Sequence, residues 1–421
     1  FFRHMIQTPG STLKLDGESG ESDSQQRMVQ NARTLLKRVR ALPEEDRRSL
    51  ADVSMNRCAL VRVVVNDKDQ GFKVFRVLNT RGKEPGAHDI IKTELFQRSK
   101  FTTEEAAFYS ERWAEHEAAL GGSAFDDLLR QIRSIYDKSS KGELITGFLK
   151  NVIPKITARG FLDDVLPRYV DAYKVITTAR LEHGTHAKLI SDKLNQMRAL
   201  DQTSWRAPAL KFLVEHGVDH ESAPEFFAKL ERLSYIIMLV LTDRDQRTKR
   251  FNKVNETISS NRTLFGRGSP FNITKDESRR AFDRMLGRFA TFGQRRSMAL
   301  RLNAALDGGF TIPPQSDATV EHVLPRNISE DSHWMITWPD PAKRREQCDT
   351  LGNFVLLTNK VNQKADRMDY RAKKDVYFNG GGGQDFALTR DLVDQEAWTS
   401  EVVRKRTERL AEILMMEWKL L

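Results

Sequence analysis

The sequence predicts a mainly α-helical protein with a small α+β part near its N-terminal end and a strand–loop–strand–helix module, embedded in helices, near its C-terminal end. Interior segments repeat apolar residues at spacings of three and four, which is typical of amphipathic helices. A β-branched run at residues 60–65 is typical of a buried strand, and two short apolar runs frame the C-terminal module, at 320–324 and 354–357. The predicted helical segments are residues 104–120, 125–136, 161–179, 186–200, 224–241 and 278–289.

Changes of pattern along the chain divide it into three predicted parts. Residues 1–100 contain the N-terminal strand, residues 101–245 form a helical middle region, and residues 246–421 contain the C-terminal module. No fixed-period repeat is found, which argues against a helical-repeat scaffold.

Composition limits the classes of protein that the chain can belong to. Its 421 residues, 39% hydrophobic and 30% charged, are typical of globular domains. A net charge of +10 favours a polyanionic partner such as nucleic acid. Cys58 and Cys348 are far apart and form no Cys-x-x-Cys pair, which argues for a reducing cytoplasm and against a structural zinc site. No apolar run approaches the roughly 20 residues of a membrane helix.

Glu321 and His322, with Pro325 shortly after them, form the first half of a candidate catalytic motif. Asn353 follows a glycine turn before the second apolar run, and Asn362 comes at the start of the helix after it. Histidine titrates near neutral pH and suits a general base that activates water. Carboxylate and amide oxygens suit Mg²⁺ or Mn²⁺, so Glu321 and Asn362 are the predicted metal ligands. The order and spacing predict an HNH-type (ββα-metal) nuclease module with His322, Asn353 and Asn362 as catalytic residues.

Each half of this motif has a simpler explanation when it is taken alone. A Glu-His pair is ordinary, a Leu-Gly-Asn sequence is often a plain turn, and an asparagine in the place of Asn362 is usually a helix cap. Adjacent strand residues also point to opposite faces, so Glu321 and His322 can serve one site only where the strand bends or ends. The residues in this order and at this separation favour the nuclease.

Basic residues near this motif are candidate contacts to DNA phosphates. Lys343, Arg344 and Arg345 lie in the predicted loop between the strands, and Lys364 follows Asn362 on the predicted helix. A solvated helix lysine is an equally good explanation of Lys364. The basic run at residues 244–253 is more typical of a solvated helix face.

A second block of interest precedes the helical middle region. Asn79, Arg81 and Gly82 form a turn, and Asp89 and Lys92 follow at the start of another helix. Backbone N–H groups of such a turn, together with a guanidinium, could bind a phosphate. Asparagine and glycine also end many ordinary helices, so the turn alone does not establish a site.

The C-terminal motifs resemble those of a known family. Residues 247–418 are similar to the GmrD-type C-terminal domain of GmrSD-family, modification-dependent (type IV) restriction endonucleases. That domain has a Glu-His block, a Leu-Gly-Asn block and a later Asn, all present here. The resemblance implies that His322 is the base, that Asn353 is the middle asparagine, and that Glu321 and Asn362 lie near the metal. The remaining family positions correspond here to Lys373 or Lys374, Tyr377, Trp398, Arg406 and Trp418.

The N-terminal block resembles the later part of a GmrS-type domain, which implies a ParB/sulfiredoxin-like core that hydrolyses or senses a nucleotide. The earlier motifs of that domain are absent, and Asp23 to Arg27 is not an acceptable substitute because Ser24 replaces the expected glycine. We therefore expect residues 1–100 to be a truncated nucleotide domain, with GTP or another NTP used by the complete protein. The phosphorothioate-sensing, SspE-like branch shares both halves and is one possible relative.

These observations predict a metal-dependent DNA endonuclease of a bacterial anti-phage restriction system. Its expected partner is double-stranded DNA, either modified or from phage, with no membrane association. One HNH module cuts one strand, so we expect nicking by a monomer, although the sequence leaves the oligomeric state open. Two alternatives remain: a nuclease-inactive DNA-binding regulator, and an NTPase that acts as a switch.

Overall fold

The protein forms two compact units, Phe1–Val170 and Asp171–Leu421, in a computed structural model. The structure describes residues 4, 6, 8, 10–14, 23–59, 86–137, 143–260, 264–308, 317–379 and 383–420. The predicted strand at 60–65 and the predicted turn residues Asn79, Arg81 and Gly82 lie outside these residues. The prediction of a mainly α fold is confirmed, since helices dominate and the described residues contain a single two-stranded sheet. The division into three parts stays a prediction.

Helices build the first unit, and short signals in the sequence set their ends. Thr102 caps one helix by accepting the backbone N–H of Glu105, whose side chain accepts the backbone N–H of Thr102 in return. Gly121, with φ of +80°, ends that helix. Trp113 and Phe125 pack edge to face at 5.1 Å in the core. The helices are α1 (Asp23–Arg40), α2 (Glu44–Asp52), α3 (Ala87–Ser99), α4 (Thr103–Leu120), α5 (Gly122–Tyr136), α6 (Leu144–Asn151), α7 (Ile153–Ile156) and α8 (Ala158–Gly160), and α9 (Leu166–Thr178) spans the boundary.

The second unit holds a longer series of helices around the two strands. Its most buried helix, α12, carries apolar residues on nearly every side, and Phe226 of that helix stacks on Phe212 with ring centroids 3.9 Å apart. Within the described residues, no helix of either unit is long and apolar enough to span a bilayer. The helices are α10 (Ala187–Arg198), α11 (Arg206–His216), α12 (Ala223–Val240), α13 (Arg244–Ile258), α14 (Lys275–Leu286), α15 (Phe292–Leu306), α16 (Trp334–Thr337), α17 (Pro341–Gln347), α18 (Asn359–Ala365), α19 (Tyr370–Asn379), α20 (Ala387–Arg390) and α21 (Ser400–Glu417).

The two strands, β1 (Ala318–His322) and β2 (Phe354–Thr358), form an antiparallel pair in which His322 lies opposite Phe354. The first four residues of β2 are buried, and Thr358 ends the strand by capping α18 through its hydroxyl. The sequence predicted a strand at 320–324. The strand in the structure, β1, begins earlier, at Ala318, and ends at His322. The chain then leaves the sheet, so His322 is presented at the end of β1.

A buried arginine links three helices of the second unit. The Arg301 guanidinium on α15 is 2.6 Å from the Glu231 carboxylate on α12 and 3.0 Å from the Glu417 carboxylate on α21. The indole of Trp418 also donates to Glu231. Burial alone would lower the pKa of Arg301, but these carboxylates raise it. The guanidinium therefore stays charged, and the carboxylates stabilise that buried charge.

We expect Arg301→Ala to lower the free energy of unfolding by about 3–5 kcal/mol, because it leaves Glu231 buried without its cation. Urea denaturation followed by circular dichroism measures this change. Arg279→Ala is the control, since it removes a surface pair with Asp276 and should cost at most about 1 kcal/mol. Equal effects of the two substitutions would contradict the assignment of Arg301 as a buried link.

Candidate active site

His322 meets an acidic partner that the motif did not include. Its imidazole Nε2 lies 3.1 Å from Oδ1 of Asp349, and its ring packs edge-on against Phe354 at 5.2 Å. The imidazole is largely buried, with 17% of its side chain exposed. The carboxylate and the phenyl ring therefore fix the orientation of the imidazole from two sides.

Asp349 is in turn surrounded by arginines. Arg326 donates to Oδ1 through Nε at 3.0 Å and Nη2 at 2.5 Å, and Arg288 donates to Oδ2 at 3.0 Å. Arg295 lies 3.8 Å from the same carboxylate but is itself buried. The side chains of Arg288 and Arg326 stay half-exposed, at 55% and 45%. Two guanidinium groups thus face solvent beside the histidine.

These contacts set the charges of the pair. Burial raises the pKa of Asp349, but hydrogen bonds from His322, Arg326 and Arg288 outweigh burial and hold that pKa well below its usual range. Burial lowers the pKa of His322 below 6.5, and the hydrogen bond to Asp349 offsets this only in part. Near neutral pH the dyad is therefore a carboxylate beside a neutral imidazole. Since Asp349 accepts from Nε2–H, the inferred tautomer leaves Nδ1 able to take a proton.

Asn353 holds the chain on both sides of this dyad. Its Oδ1 accepts the backbone N–H of Leu324 at 2.7 Å and the indole N–H of Trp398 at 3.0 Å. Its Nδ2 donates to the carbonyl oxygens of Leu324 and Cys348, at 3.0 and 2.8 Å. Because the side chain is fully buried, these four bonds satisfy all its hydrogen-bonding groups, and they link the segment after His322 to the segment before Asp349.

The turn that carries Asn353 packs closely against α21. A Cβ placed on Gly352 would lie 2.1 Å from the carbonyl oxygen of Val403, so only glycine fits. Arg406 on α21 donates to the carbonyl oxygens of Gly352 and Phe354 at 2.7 and 2.9 Å. Trp398 and Arg406, two positions of the family resemblance, therefore support the asparagine turn.

Glu321 lies on the other face of β1, away from the imidazole. Its Oε1 contacts Nζ of Lys373 and accepts the Tyr377 hydroxyl at 3.2 Å. Lys373 is fully buried on α19 and also donates to the carbonyl oxygen of His322 at 2.9 Å. Of the two lysines that the sequence left open, Lys373 is the one that pairs with Glu321, whereas Lys374 donates to the carbonyl of Gln395.

Asn362 lies on the same face of β1 as Glu321. Its Nδ2 donates to the Thr319 hydroxyl at 2.9 Å, and Thr319 and Glu321 share a face because strand side chains alternate. The structure therefore brings the two predicted metal ligands to one face of β1 and the predicted base to the opposite face. It does not place all three at one point.

Two groups of side chains near the dyad offer atoms that could contact a divalent cation, and they differ in how well those atoms suit Mg²⁺. His322, Cys348 and Asp349 offer ligand atoms within 4.8 Å of one another. Burial raises the pKa of Cys348 to about 12, so its sulfur remains a thiol, and the Asp349 oxygens already pair with arginines. This group does not fit Mg²⁺. Glu321 and Asn362 supply the oxygen atoms that Mg²⁺ or Mn²⁺ prefers, and they fit it in chemistry, although Lys373 pairs with Glu321 here.

The predicted phosphate contacts differ in their exposure. Lys343 and Arg345 on α17 and Lys364 on α18 are exposed. Arg344 is half-buried and donates to the carbonyl oxygen of Trp338, so it has a structural partner. The sequence analysis did not identify Asp349, Arg326 or Arg288. Arg326 directly follows the Pro325 of the motif and could have been noticed, but Arg288 is remote in sequence and carries no such signal.

The described residues of the predicted nucleotide motif lie in the first unit, on α3. Asp89 accepts the backbone N–H of Gly86 at 3.0 Å, and Lys92 donates to the Ser110 hydroxyl at 3.0 Å. His88, the residue before Asp89, contacts Asp126 at 2.7 Å. Burial lowers the His88 pKa, but hydrogen bonds with Asp126 and Glu117 raise it to about 10, so this histidine is a cation that joins α3 to α4 and α5. A nucleotide-binding role for Asp89 and Lys92 stays a prediction.

We expect Asn353→Ala to lower the free energy of unfolding by about 3 kcal/mol, since it strips four buried groups of their partner. Urea denaturation measures this loss. Asn327→Ala is the matched control because Asn327 is exposed in the segment that follows Pro325. Unchanged stability of the Asn353 variant would show that the amide does not hold the turn.

The C-terminal part of the chain is similar to a known family. Residues 273–413 match the family described as GmrSD restriction endonucleases, C-terminal domain. This span contains the dyad, the asparagine turn and both strands. No curated protein matches the chain. The C-terminal part of this chain is therefore similar to the C-terminal domain of GmrSD restriction endonucleases, and this similarity supports a restriction endonuclease role.

Proposed function

We propose that the chain is a metal-dependent DNA endonuclease of HNH type that nicks its substrate with His322 as the general base. The observation that carries the proposal is the His322 imidazole, held by the Asp349 carboxylate beside two half-exposed arginines. A base, a group that orients it and cations for an oxyanion are what phosphodiester hydrolysis requires.

His322 begins the reaction by accepting a proton from water at Nδ1. The water oxygen forms a bond to phosphorus as the bond from phosphorus to the departing sugar oxygen breaks. The departing oxygen then takes up a proton from solvent, and the His322 imidazolium releases its own proton to solvent. Asp349 keeps Nε2 protonated throughout and stabilises the imidazolium, which is how a buried carboxylate assists a histidine base.

Arg326 and Arg288 are the proposed contacts to the phosphate being cut. Each uses part of its guanidinium on Asp349 and leaves further N–H donors at the surface. Guanidinium groups bind phosphate oxygens in a fork geometry, which gives both charge and direction. Lys343, Arg345 and Lys364 are exposed and are proposed to contact other phosphates of the backbone.

Glu321 and Asn362 would hold the Mg²⁺ or Mn²⁺ ion, because both offer oxygen on one face of β1. When bound, such an ion would supply positive charge that stabilises phosphate oxygens. The ammonium group of Lys373 pairs with the Glu321 carboxylate and so neutralises a buried charge that would otherwise be costly.

Bacterial anti-phage restriction is the proposed setting, with modified or phage double-stranded DNA as substrate. The family match over residues 273–413 supports the restriction role. For the N-terminal region we propose a nucleotide-binding role in which the protein uses GTP or another NTP. The motif resemblance at Asn79, Arg81, Gly82, Asp89 and Lys92 supports this second proposal.

We expect the wild type to nick supercoiled plasmid with Mg²⁺ or Mn²⁺ and His322→Ala to be at least about 100-fold slower, because a base acts in the transition state. DNA affinity should stay within about twofold, since backbone contacts supply it. Modified and unmodified plasmids are compared by gel mobility. His183→Ala is the control, as His183 is exposed and distant in sequence from the dyad.

Retained nicking by His322→Ala would remove the histidine from the reaction. Binding of DNA by the wild type without nicking on any plasmid would favour the nuclease-inactive regulator.

We expect Asp349→Asn to slow nicking by at least about tenfold, because the imidazole loses its orienting carboxylate. Nicking requires the neutral imidazole, so its rate falls as the pH drops through the His322 pKa. The Asp349 hydrogen bond raises that pKa, so its loss should move the acidic limb of the rate profile to lower pH. Asp331→Asn, an exposed change, should leave the profile in place. A slower variant with an unmoved acidic limb would mean that Asp349 acts only on folding.

A further inference from the structure

An open cavity of about 470 Å³ lies in the second unit, between the start of α14 and the turn that follows α21. Its volume falls within the range of about 300–1,000 Å³ that is usual for ligand sites, so it has room for a nucleotide unit of a larger molecule. The apolar part of its lining is partly exposed to solvent and includes Ile273, Phe282 and Leu420.

The rim of this cavity is basic. Lys275 and Arg279 lie on α14, Lys419 lies on the facing wall, and all three are exposed. Among the described residues that line the cavity, none is acidic, and neither lysine forms an ion pair with another described residue. Arg279 pairs with Asp276, outside the lining, but its side chain stays 69% exposed and keeps further N–H donors. The cavity therefore favours an anionic ligand.

Hydrogen bonds hold the two walls of the cavity together. The Ser278 hydroxyl on α14 donates to the carbonyl oxygen of Leu420 at 3.0 Å. Arg232 on α12 donates to the carbonyl oxygen of Phe271, before α14, at 3.2 Å, and to that of Trp418, after α21, at 3.3 Å. Because these bonds fix the separation of the walls, a ligand would not have to order them, which lowers the entropic cost of binding.

The turn that carries Lys419 is one in which glycine is usual. The backbone N–H of Lys419 donates to the carbonyl oxygen of Met416 and that of Leu420 to Met415, both at 2.9 Å, which is the Schellman pattern at a helix end. Lys419 has φ of +54°, in the left-handed region that glycine adopts with least strain. A lysine in this position supplies an ammonium group to the cavity, which a glycine could not do.

Helix α14 connects the cavity with the proposed nuclease centre. It begins at the cavity with Lys275 and ends at Leu286. Arg288, which contacts the Asp349 carboxylate, follows two residues later. The twelve residues of the helix span about 18 Å. Duplex DNA advances about 3.4 Å per base pair, so roughly five base pairs cover the same distance. A duplex with one phosphate at Arg288 is therefore long enough to reach the cavity.

We propose that this cavity binds the DNA backbone about five base pairs away from the phosphate that is cut. The proposal rests on the proposed function for the identity of the polyanion. A phosphate would contact Lys275 and Lys419 from the two walls, with Arg279 as a further donor, and the adjoining deoxyribose would pack on the apolar part of the lining. Contacts of this kind fix the position of a duplex without reading its sequence.

Fluorescence anisotropy of a labelled DNA duplex, titrated with the full chain without divalent metal at several salt concentrations, tests the proposal. Lys275→Gln and Lys419→Gln should each lower the slope of log Kd against log salt concentration by about 0.9, because each removes one phosphate contact. At about 0.1 M salt each should weaken binding by about fivefold or more. Lys405→Gln is the matched control, since it removes the same charge from an exposed position on α21 outside the cavity.

An unchanged slope and affinity in both variants would overturn the proposal and leave the cavity to a different anionic partner. An equal loss in the Lys405 variant would also overturn it, because net charge would then explain the effect. Binding is measured without cutting, so the two proposals fail separately. A wild type that nicks, with affinity preserved in both variants, contradicts the cavity alone. A wild type that never nicks, although both variants weaken its binding, contradicts the nuclease alone, and one that binds no DNA contradicts both.

Discussion

The hydrogen bonds of the Asn353 side chain are the constraint on which the rest of the C-terminal site depends. One buried amide accepts two N–H groups and donates to two carbonyl oxygens, from Leu324, Cys348 and Trp398. Only a side chain with both donor and acceptor groups can do this, which restricts the position to an amide. Because Cys348 and Leu324 directly border the dyad segments, the Asp349 carboxylate meets the His322 imidazole only while this amide is in place.

Charge around Asp349 explains how one carboxylate can serve both a base and a phosphate site. Arg326, Arg288 and Arg295 surround it, so the local charge is positive even though the residue nearest to His322 is an anion. A neutral imidazole suits this setting, because a second cation would be repelled by the arginines and penalised by burial. The same excess of positive charge attracts a phosphodiester toward the base.

Local patterns in the sequence predicted the helices and the order of the module, whereas contacts between distant residues could not be predicted. Apolar spacing identified most long helices, and the Gly-Asn turn before an apolar run located β2. The pairing of Glu321 with Lys373 depends on how α19 folds back over β1, and the approach of Arg288 to Asp349 depends on the end of α14. Neither contact produces a periodic pattern in the sequence. Glu321 and His322 lie on opposite faces of β1, as strand alternation requires, whereas the predicted motif brought both into one site at the end of the strand.

Because Glu321 and His322 lie on opposite faces of β1, the buried ion pair between Glu321 and Lys373 helps to specify the register of the strand. A slip of β1 by one residue would exchange the faces of Glu321 and His322, because strand side chains alternate. Glu321 would then be buried beside the Asp349 carboxylate, and Lys373 would lose the carboxylate with which it forms its ion pair. Both effects oppose the slip, whereas apolar neighbours alone would resist it less. The Glu321–Lys373 pair therefore stabilises the register that presents His322 to Asp349, so a contact on one face of the strand determines the chemistry on the other.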